Sequence, residues 1–206
     1  AMREGVLYDL MGRISDEDAR RRTVAELMQR FAVDQAHVRR IAATARALFT
    51  QVEARWRLSG ESHGRLLEWA ASLHEIGITV SHSQYHKHGA YLLQHLDMPG
   101  FSRGEQRRLA FLVRAHRRKF PVADLGGLSD EDQTLLPKLA VLLRLAVVLH
   151  RARRAAPLPP FALSVDDAAL KLSLPKEWLG DHTLVGADLE QESSYLKAIG
   201  YKLRLK

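Results

Sequence analysis

The stretch LHEIGITVSHSQYHKHGAYLL, Leu73 to Leu93, holds four histidines and one glutamate but no cysteine. Whether its imidazoles hold a metal or face an anion decides what kind of fold and site the chain builds. Leading into it, Leu66, Leu67, Ala70, Leu73, His74 and Gly77 recur at three- and four-residue steps. That spacing predicts a helix with His74 on its inward face and Gly77 as its stop. On its far side His88, Tyr91, Leu92, His95 and Leu96 line one face of a second helix over 84–96. Ser102 and Glu105 then form a capping box ahead of a helix that ends near His116.

Further out the same periodicity continues. Asp34 can cap a long amphipathic helix on which Val38, Ile41, Ala45, Leu48, Phe49, Val52 and Trp56 share a face, with His37 near its start. Ser15, followed by Asp16, Glu17 and Asp18, predicts a helix N-terminus and a first helix over 16–31. Asp130 to Arg153 reads as the longest apolar helix, in which Pro137 is tolerable only near the first turn. Pro157, Pro159 and Pro160 break the pattern, and beyond them Phe161–Val165 and Ala169–Leu174 alternate around an Asp166-Asp167 turn. A helix over 188–198 and a strand over 201–205 complete the reading. The expected architecture is mainly α, a helical domain over 1–156 with a small C-terminal α/β appendage over 157–206.

Thirty-one Lys and Arg against twenty-four Asp and Glu give a formal charge of +7 over 206 residues. A surface of that sign favours polyanionic partners: nucleic acid, an acidic membrane or a phosphorylated ligand. The lack of cysteine excludes disulfides and thiolate metal sites and fits a reducing compartment. No apolar run approaches the roughly 20 residues of a membrane span, so an integral membrane protein is not expected. The expected compartment is the cytoplasm, with peripheral attachment to a membrane left open. Ala1-Met2 ahead of Arg3-Glu4-Gly5 reads as a tag-cleavage scar on a piece of a larger protein.

A His on an early helix (His37, in HVRRIAATARALF), an adjacent pair His74-Glu75 in LHEIG, and Arg144-Leu145-Ala146-Val147 on a late helix resemble the HD superfamily of helical metal-dependent phosphohydrolases. The resemblance implies an HD-like fold in which His37, His74, Glu75 and Val147 occupy the metal-ligand positions. Glu stands for the usual Asp at 75, and the closing carboxylate is replaced by Val147. An isopropyl group offers a divalent ion neither charge nor lone pair, so the site is expected to be degenerate and to hold no metal.

A closer resemblance covers nearly the whole chain. HEIGITVSHSQYHKHGAYLLQHLDMPGFSRGEQRRLAFLVRAHRRKF, then LLRLAVVLHRARR and KEWLGDHTLVGADLEQE, are similar to the C-terminal region of the exopolyphosphatase and guanosine pentaphosphate phosphohydrolase family. In that family the resemblance implies catalysis by an N-terminal pair of actin-like domains, with Mg as their metal. REGVLYDLMGR resembles the junction that follows those domains. The chain is therefore expected to be a C-terminal piece with no catalytic residue or cofactor of its own. Its implied partners are inorganic polyphosphate, the N-terminal catalytic domains and a second copy in a homodimer. Two alternatives stay open: a guanosine pentaphosphate phosphohydrolase as parent, or a surviving HD-type enzyme with His86, His88 or His116 completing the ligand set.

Candidate polyphosphate-binding residues are His86, Lys87, His88, Arg114, His116, Arg117, Arg118 and Lys119, together with Arg151, Arg153 and Arg154. If both clusters lie on one side they make an electropositive track, and about six phosphate contacts would give a steep salt dependence. Against this, a helical His is usually packed and hydrogen-bonded, and a charge run is usually a solvated face. Few aromatics accompany the basic segments, so stacking on single strands is unsupported and nucleic acid is not expected as a partner.

Overall fold

The structure, a computed structural model, describes residues 2–206 and, from Asp16 onward, their side chains. Ala1 of the scar read at Ala1-Met2, and the side chains of the junction-like stretch 3–13, lie outside what is described. The helical part comprises α1 (Met2–Arg30), α2 (Gln35–Trp56), α3 (Gly60–Leu73), α4 (Tyr85–His95), α5 (Arg103–Ala115), the short α6 (Val122–Leu125) and α7 (Asp130–Leu149). The appendage follows as β1 (Ala162–Asp166), β2 (Ala169–Ser173), α8 (Lys176–Asp181), α9 (Thr183–Leu196) and β3 (Lys202–Leu205). The chain is thus mainly α-helical with a small C-terminal three-stranded appendage. No helix among the described residues is long and apolar enough to cross a membrane.

The apolar stripe of α2 is the axis of the packing. Ile41, Leu48 and Phe49 are fully buried and meet Leu67 and Leu73 of α3 and Leu136, Leu139 and Leu143 of α7 in one core. Burying side chains of this size stabilises the fold by about 1.5–3 kcal/mol each. Asp34 starts α2 by accepting the His37 N–H at 3.0 Å. Ser102 and Glu105 form the expected reciprocal box at the start of α5, with bonds of 3.2 and 2.8 Å.

Besides α9, which runs over Thr183–Leu196 rather than 188–198, three boundaries differ from the sequence reading. The first helix begins at Met2 and runs through the expected start, where Glu17 serves another purpose: it pairs with Arg21 one turn on and with Arg65 of α3. Gly77 does not stop α3, which ends at Leu73; it lies in a 3₁₀ turn (Ile76–Thr79) pressed against α4. A Cβ there would come within 2.1 Å of the Tyr85 carbonyl oxygen and 2.4 Å of the Gly89 nitrogen. Glycine is required by close approach of two backbones. The third boundary is the end of α7, at Leu149 rather than Arg153; His150 caps it and Arg153 takes a left-handed conformation, φ 52°. Pro137 stands beyond the first turn of α7, buried, where it cannot donate to the Gln133 carbonyl.

In the appendage β1 and β2 form the expected antiparallel hairpin, Ala162 facing Ser173 and Asp166 facing Ala169, with Asp167 at φ 47° in the turn. The third strand joins in parallel beside β2. Leu163, Leu170, Leu172 and Leu203 point into the same hydrophobic cluster as α2 and α7. The appendage is also fixed by charge. Arg144 of α7, with no exposed surface, reaches Glu192 of α9 with both Nε and Nη2, and two further bonds go to the carbonyls of Ala115 and Arg118.

Candidate functional site

Two histidines occupy equivalent places just beyond helix ends. His74 follows α3 and its Nδ1–H donates to the Ala71 carbonyl at 2.7 Å; His116 follows α5 and its Nδ1–H donates to the Val113 carbonyl at 2.6 Å. These bonds fix each tautomer and leave Nε2 facing the space between the helices. The rings meet edge to face with centroids 5.0 Å apart, and the Tyr85 hydroxyl lies 3.4 Å from His116 Nε2. His37, in the first turn of α2, is buried beside them, and its Nδ1 has no hydrogen-bond partner.

Glu75 is the hub of this group. Its Oε1 lies 3.9 Å from His74 Nε2 and 4.0 Å from His37 Nε2, and accepts a bond from Arg153. The other arm of Arg153 donates to Asp34 at 3.2 Å. His37, His74, Glu75, His116 and Val147 all line one cleft of about 700 Å³. Its far wall is α9, which contributes Asp188, Gln191, Glu192 and Tyr195. Burial first, and then neighbouring cations or imidazoles, hold the imidazoles of His37 and His116 below the ordinary value, His116 well below. Burial does the same for His74 against the opposing pull of Glu75. All three are neutral at pH 7.

The residues present do not fit a divalent cation. The position that would close the ligand set carries Val147, and the one buried carboxylate oxygen facing both imidazoles already holds the Arg153 guanidinium. A metal would meet a fixed positive charge at its own coordination distance.

The structure divides the residues predicted from sequence to bind phosphate. His116, Arg117, Arg118, Arg151 and Arg153 line the cleft. Lys87 and Arg114 line a second, smaller one of about 360 Å³ with Arg107 and Tyr91. His86, His88, Lys119 and Arg154 line neither; Arg154 instead faces His182 at 3.1 Å, and His86 is buried beside the second cleft's cations. Burial, then Arg114, Arg117, Lys87 and Arg118, bring His86 down to about 4.

Within the main cleft the cations are not equivalent. Arg151 pairs with Asp188, and Arg153 with Glu75 and Asp34. Arg117 lies with its guanidinium 4.5 Å from the Tyr85 ring centroid, a cation–π contact, and Arg118 is exposed in a left-handed turn, φ 63°. Among the described residues neither forms an ion pair with a carboxylate. Sequence reasoning missed the α9 wall, although Asp188, Gln191, Glu192 and Tyr195 stand at three- and four-residue spacing and could have been read as one polar face.

Residues 19–193 match the family described as Ppx/GppA phosphatase, domain III. A guanosine-5'-triphosphate,3'-diphosphate pyrophosphatase of Pseudoalteromonas translucida (strain TAC 125) is 36% identical over 203 residues, covering 98% of this chain and 41% of its own. Proteins of the same name from Aeromonas hydrophila and Vibrio atlanticus (strain LGP32) are 35% and 36% identical, each over 100% of this chain and 41% of their own length. The chain therefore spans about two-fifths of the curated relatives it matches.

Proposed function

The chain belongs to the Ppx/GppA phosphatase family, in which it corresponds to domain III, and from that premise we propose that it is a non-catalytic module that holds a phosphate chain. The cleavage of a terminal phosphoanhydride would be done by Mg-dependent catalytic domains elsewhere in the parent, with inorganic polyphosphate as substrate. The observation that carries this reading is the pair Arg117-Arg118. Among the described residues they are the arginines of the cleft with no carboxylate partner; His37, His74 and His116 beside them are held toward the neutral form by burial, and Arg153 occupies the Glu75 oxygen that a metal would need. Arginine forks suit phosphate oxygens, which offer charge and several lone pairs but no shape beyond the chain. The module would work as a homodimer in the cytoplasm. The names of the relatives favour a second reading, in which the parent acts on guanosine pentaphosphate; its phosphate groups would meet the same two arginines.

The test is a titration of the 206-residue chain with long-chain polyphosphate at low and at physiological salt, with guanosine pentaphosphate and single-stranded DNA as competitors at matched charge. Two phosphate contacts predict a slope of about −1.8 in log affinity against log salt. Replacing both Arg117 and Arg118 by Ala removes most of that slope. Absence of binding at either salt overturns the tether. Stronger competition by guanosine pentaphosphate favours the second reading, and stronger competition by DNA refutes both.

A further inference from the structure

The centre around Glu75 has the donors of a metal site and an organic cation where the metal would be. We propose that the Arg153 guanidinium is a built-in replacement for a divalent ion, and that Val147 and Arg153 together are what chiefly hold this centre in its metal-free form. This assignment does not depend on anion binding and stands on separate observations.

The first is convergence. Nε2 of His37, Nε2 of His74 and Arg153 all approach the same oxygen, Oε1 of Glu75. A buried carboxylate facing two neutral imidazoles would carry an uncompensated charge without a cation, and leaving such a charge unpaired is costly. Arginine is a permanent cation with several donors, so it neutralises Glu75 and Asp34 at once through two different nitrogens. The second is chain path. After the cap of α7 the backbone turns through a left-handed residue at Arg153 itself, its N–H bonded to the His150 carbonyl at 2.9 Å. An arginine in that conformation is disfavoured by roughly 1–2 kcal/mol; here it accompanies the return of the guanidinium toward α2. The third is the state of the supporting shell. A metal-ligating His ordinarily donates its other ring N–H to a carbonyl or carboxylate. His74 keeps that bond, to Ala71, whereas His37 Nδ1 is buried with no partner. One ligand position has kept the arrangement a metal needs and one has lost it.

The fourth is the location of the missing charge. Val147 lines the same cleft on α7, one turn before Arg151 and two residues from the helix end that leads into the Arg153 turn. A carboxylate at 147 would offer the second negative charge that a divalent ion requires, and it would also compete for Arg153. The two substitutions therefore belong together: removing Arg153 frees the Glu75 oxygen, and Asp at 147 completes two imidazoles and two carboxylates, a donor set suited to first-row divalent ions.

The experiment uses Co²⁺, whose visible absorption reports its ligands. Wild type, Val147→Asp, Arg153→Ala and the double variant are titrated with Co²⁺, passed through gel filtration, and assayed for bound cobalt and for thermal melting with and without the ion. The double variant is expected to retain about one Co²⁺ per chain and to melt higher with it, at least about tenfold tighter than Val147→Asp alone. Adding His74→Ala to the double variant should abolish retention. Stoichiometric Co²⁺ in the wild-type protein overturns the proposal, as does a folded double variant that holds no more cobalt than wild type. Should the double variant not fold, Arg153→Ala decides: it should melt below wild type and be restored in part by millimolar guanidinium ion or by Arg153→Lys. An Arg153→Ala protein that melts with wild type, unaffected by guanidinium, refutes the replacement role.

Discussion

Replacing Glu192 with Leu should destabilise the protein severely, because it isolates a charge that has no route to solvent. Arg144 has no exposed surface and Glu192 very little, and two of the bonds made by the guanidinium end on the two oxygens of that carboxylate. Hydrogen bonds to charged groups contribute about 1.5–3 kcal/mol each, and breaking a buried ion pair from one side costs about 3–5 kcal/mol. The two routes agree on a loss of about 3–5 kcal/mol, which for a chain of this size is a fall of roughly 6–20 °C in melting temperature. The assay is urea unfolding followed by far-ultraviolet circular dichroism, in a cycle with Arg144→Met and the double variant.

Removing both charges should recover much of the loss, since paired apolar replacements at such sites are often close to neutral. Recovery is incomplete for an identifiable reason: the carbonyls of Ala115 and Arg118 lose the guanidinium that Arg144 gave them, at about 1–3 kcal/mol for an unsatisfied buried group. The Arg118 bond also links the pair to the proposed function, because it holds the turn carrying Arg117 and Arg118 against α7. If the module binds polyphosphate as proposed, affinity should therefore fall in the Arg144→Met protein, which loses that bond outright, even under conditions where it is fully folded. A Glu192→Leu variant that costs less than about 1 kcal/mol, or a double variant worse than the sum of the singles, would refute the reasoning.

Two further outcomes follow from the same packing. His86 and His150 are each brought down to about 4, chiefly by burial, from an ordinary 6.5. Between those values the unfolded chain binds protons that the folded chain does not. Stability is accordingly complete above about pH 6.5 and is lost as the pH falls toward 4. The urea midpoint should fall over that window, less so with His150→Gln; a midpoint unchanged from pH 7 to about 4.5 would contradict it. Gly77→Ala drives a methyl group into the backbone of α4 from two directions and should cost about 3 kcal/mol or more, read as a lowered melting temperature. A shift smaller than about 2 °C would show that the turn can yield.

What the sequence made legible was local. The Ser102/Glu105 box, the Asp34 cap, the period of α2 and the Asp166-Asp167 hairpin all depend on neighbours within a few residues, and each formed where that chemistry put it. The resemblance in turn predicted that His37, His74, Glu75 and position 147 correspond, and they share a cleft. Legibility ended where a side chain had to choose among distant partners. Arg153 selects Asp34 and Glu75, 119 and 78 residues away, and Arg144 selects Glu192, 48 residues away. Nothing in HRARR distinguishes the arginine that turns inward from the one that faces solvent. Gly77 misled for a related reason: a glycine required by another helix looks, in sequence, like a glycine required by its own.

That choice of partners changes what the net charge means. A formal charge of +7 and two basic clusters suggested a track making about six phosphate contacts. In the cleft, however, the arginines at 117, 118, 151 and 153 share the walls with the carboxylates of Glu75, Asp188 and Glu192. Arg151 and Arg153 are held by those groups or by Asp34, and Glu192 is held by Arg144. A phosphate could recruit Arg153 only by uncovering Glu75, a buried charge, so the exchange would cost about what the new contact gains. Among the described residues of the cleft, the arginines that can accept phosphate without breaking an internal pair are Arg117 and Arg118. The salt dependence of polyphosphate binding thus separates two pictures of one surface: a slope near −5 means a track on which internal pairs open to the ligand, and a slope near −2 means two free forks beside an internally neutralised centre.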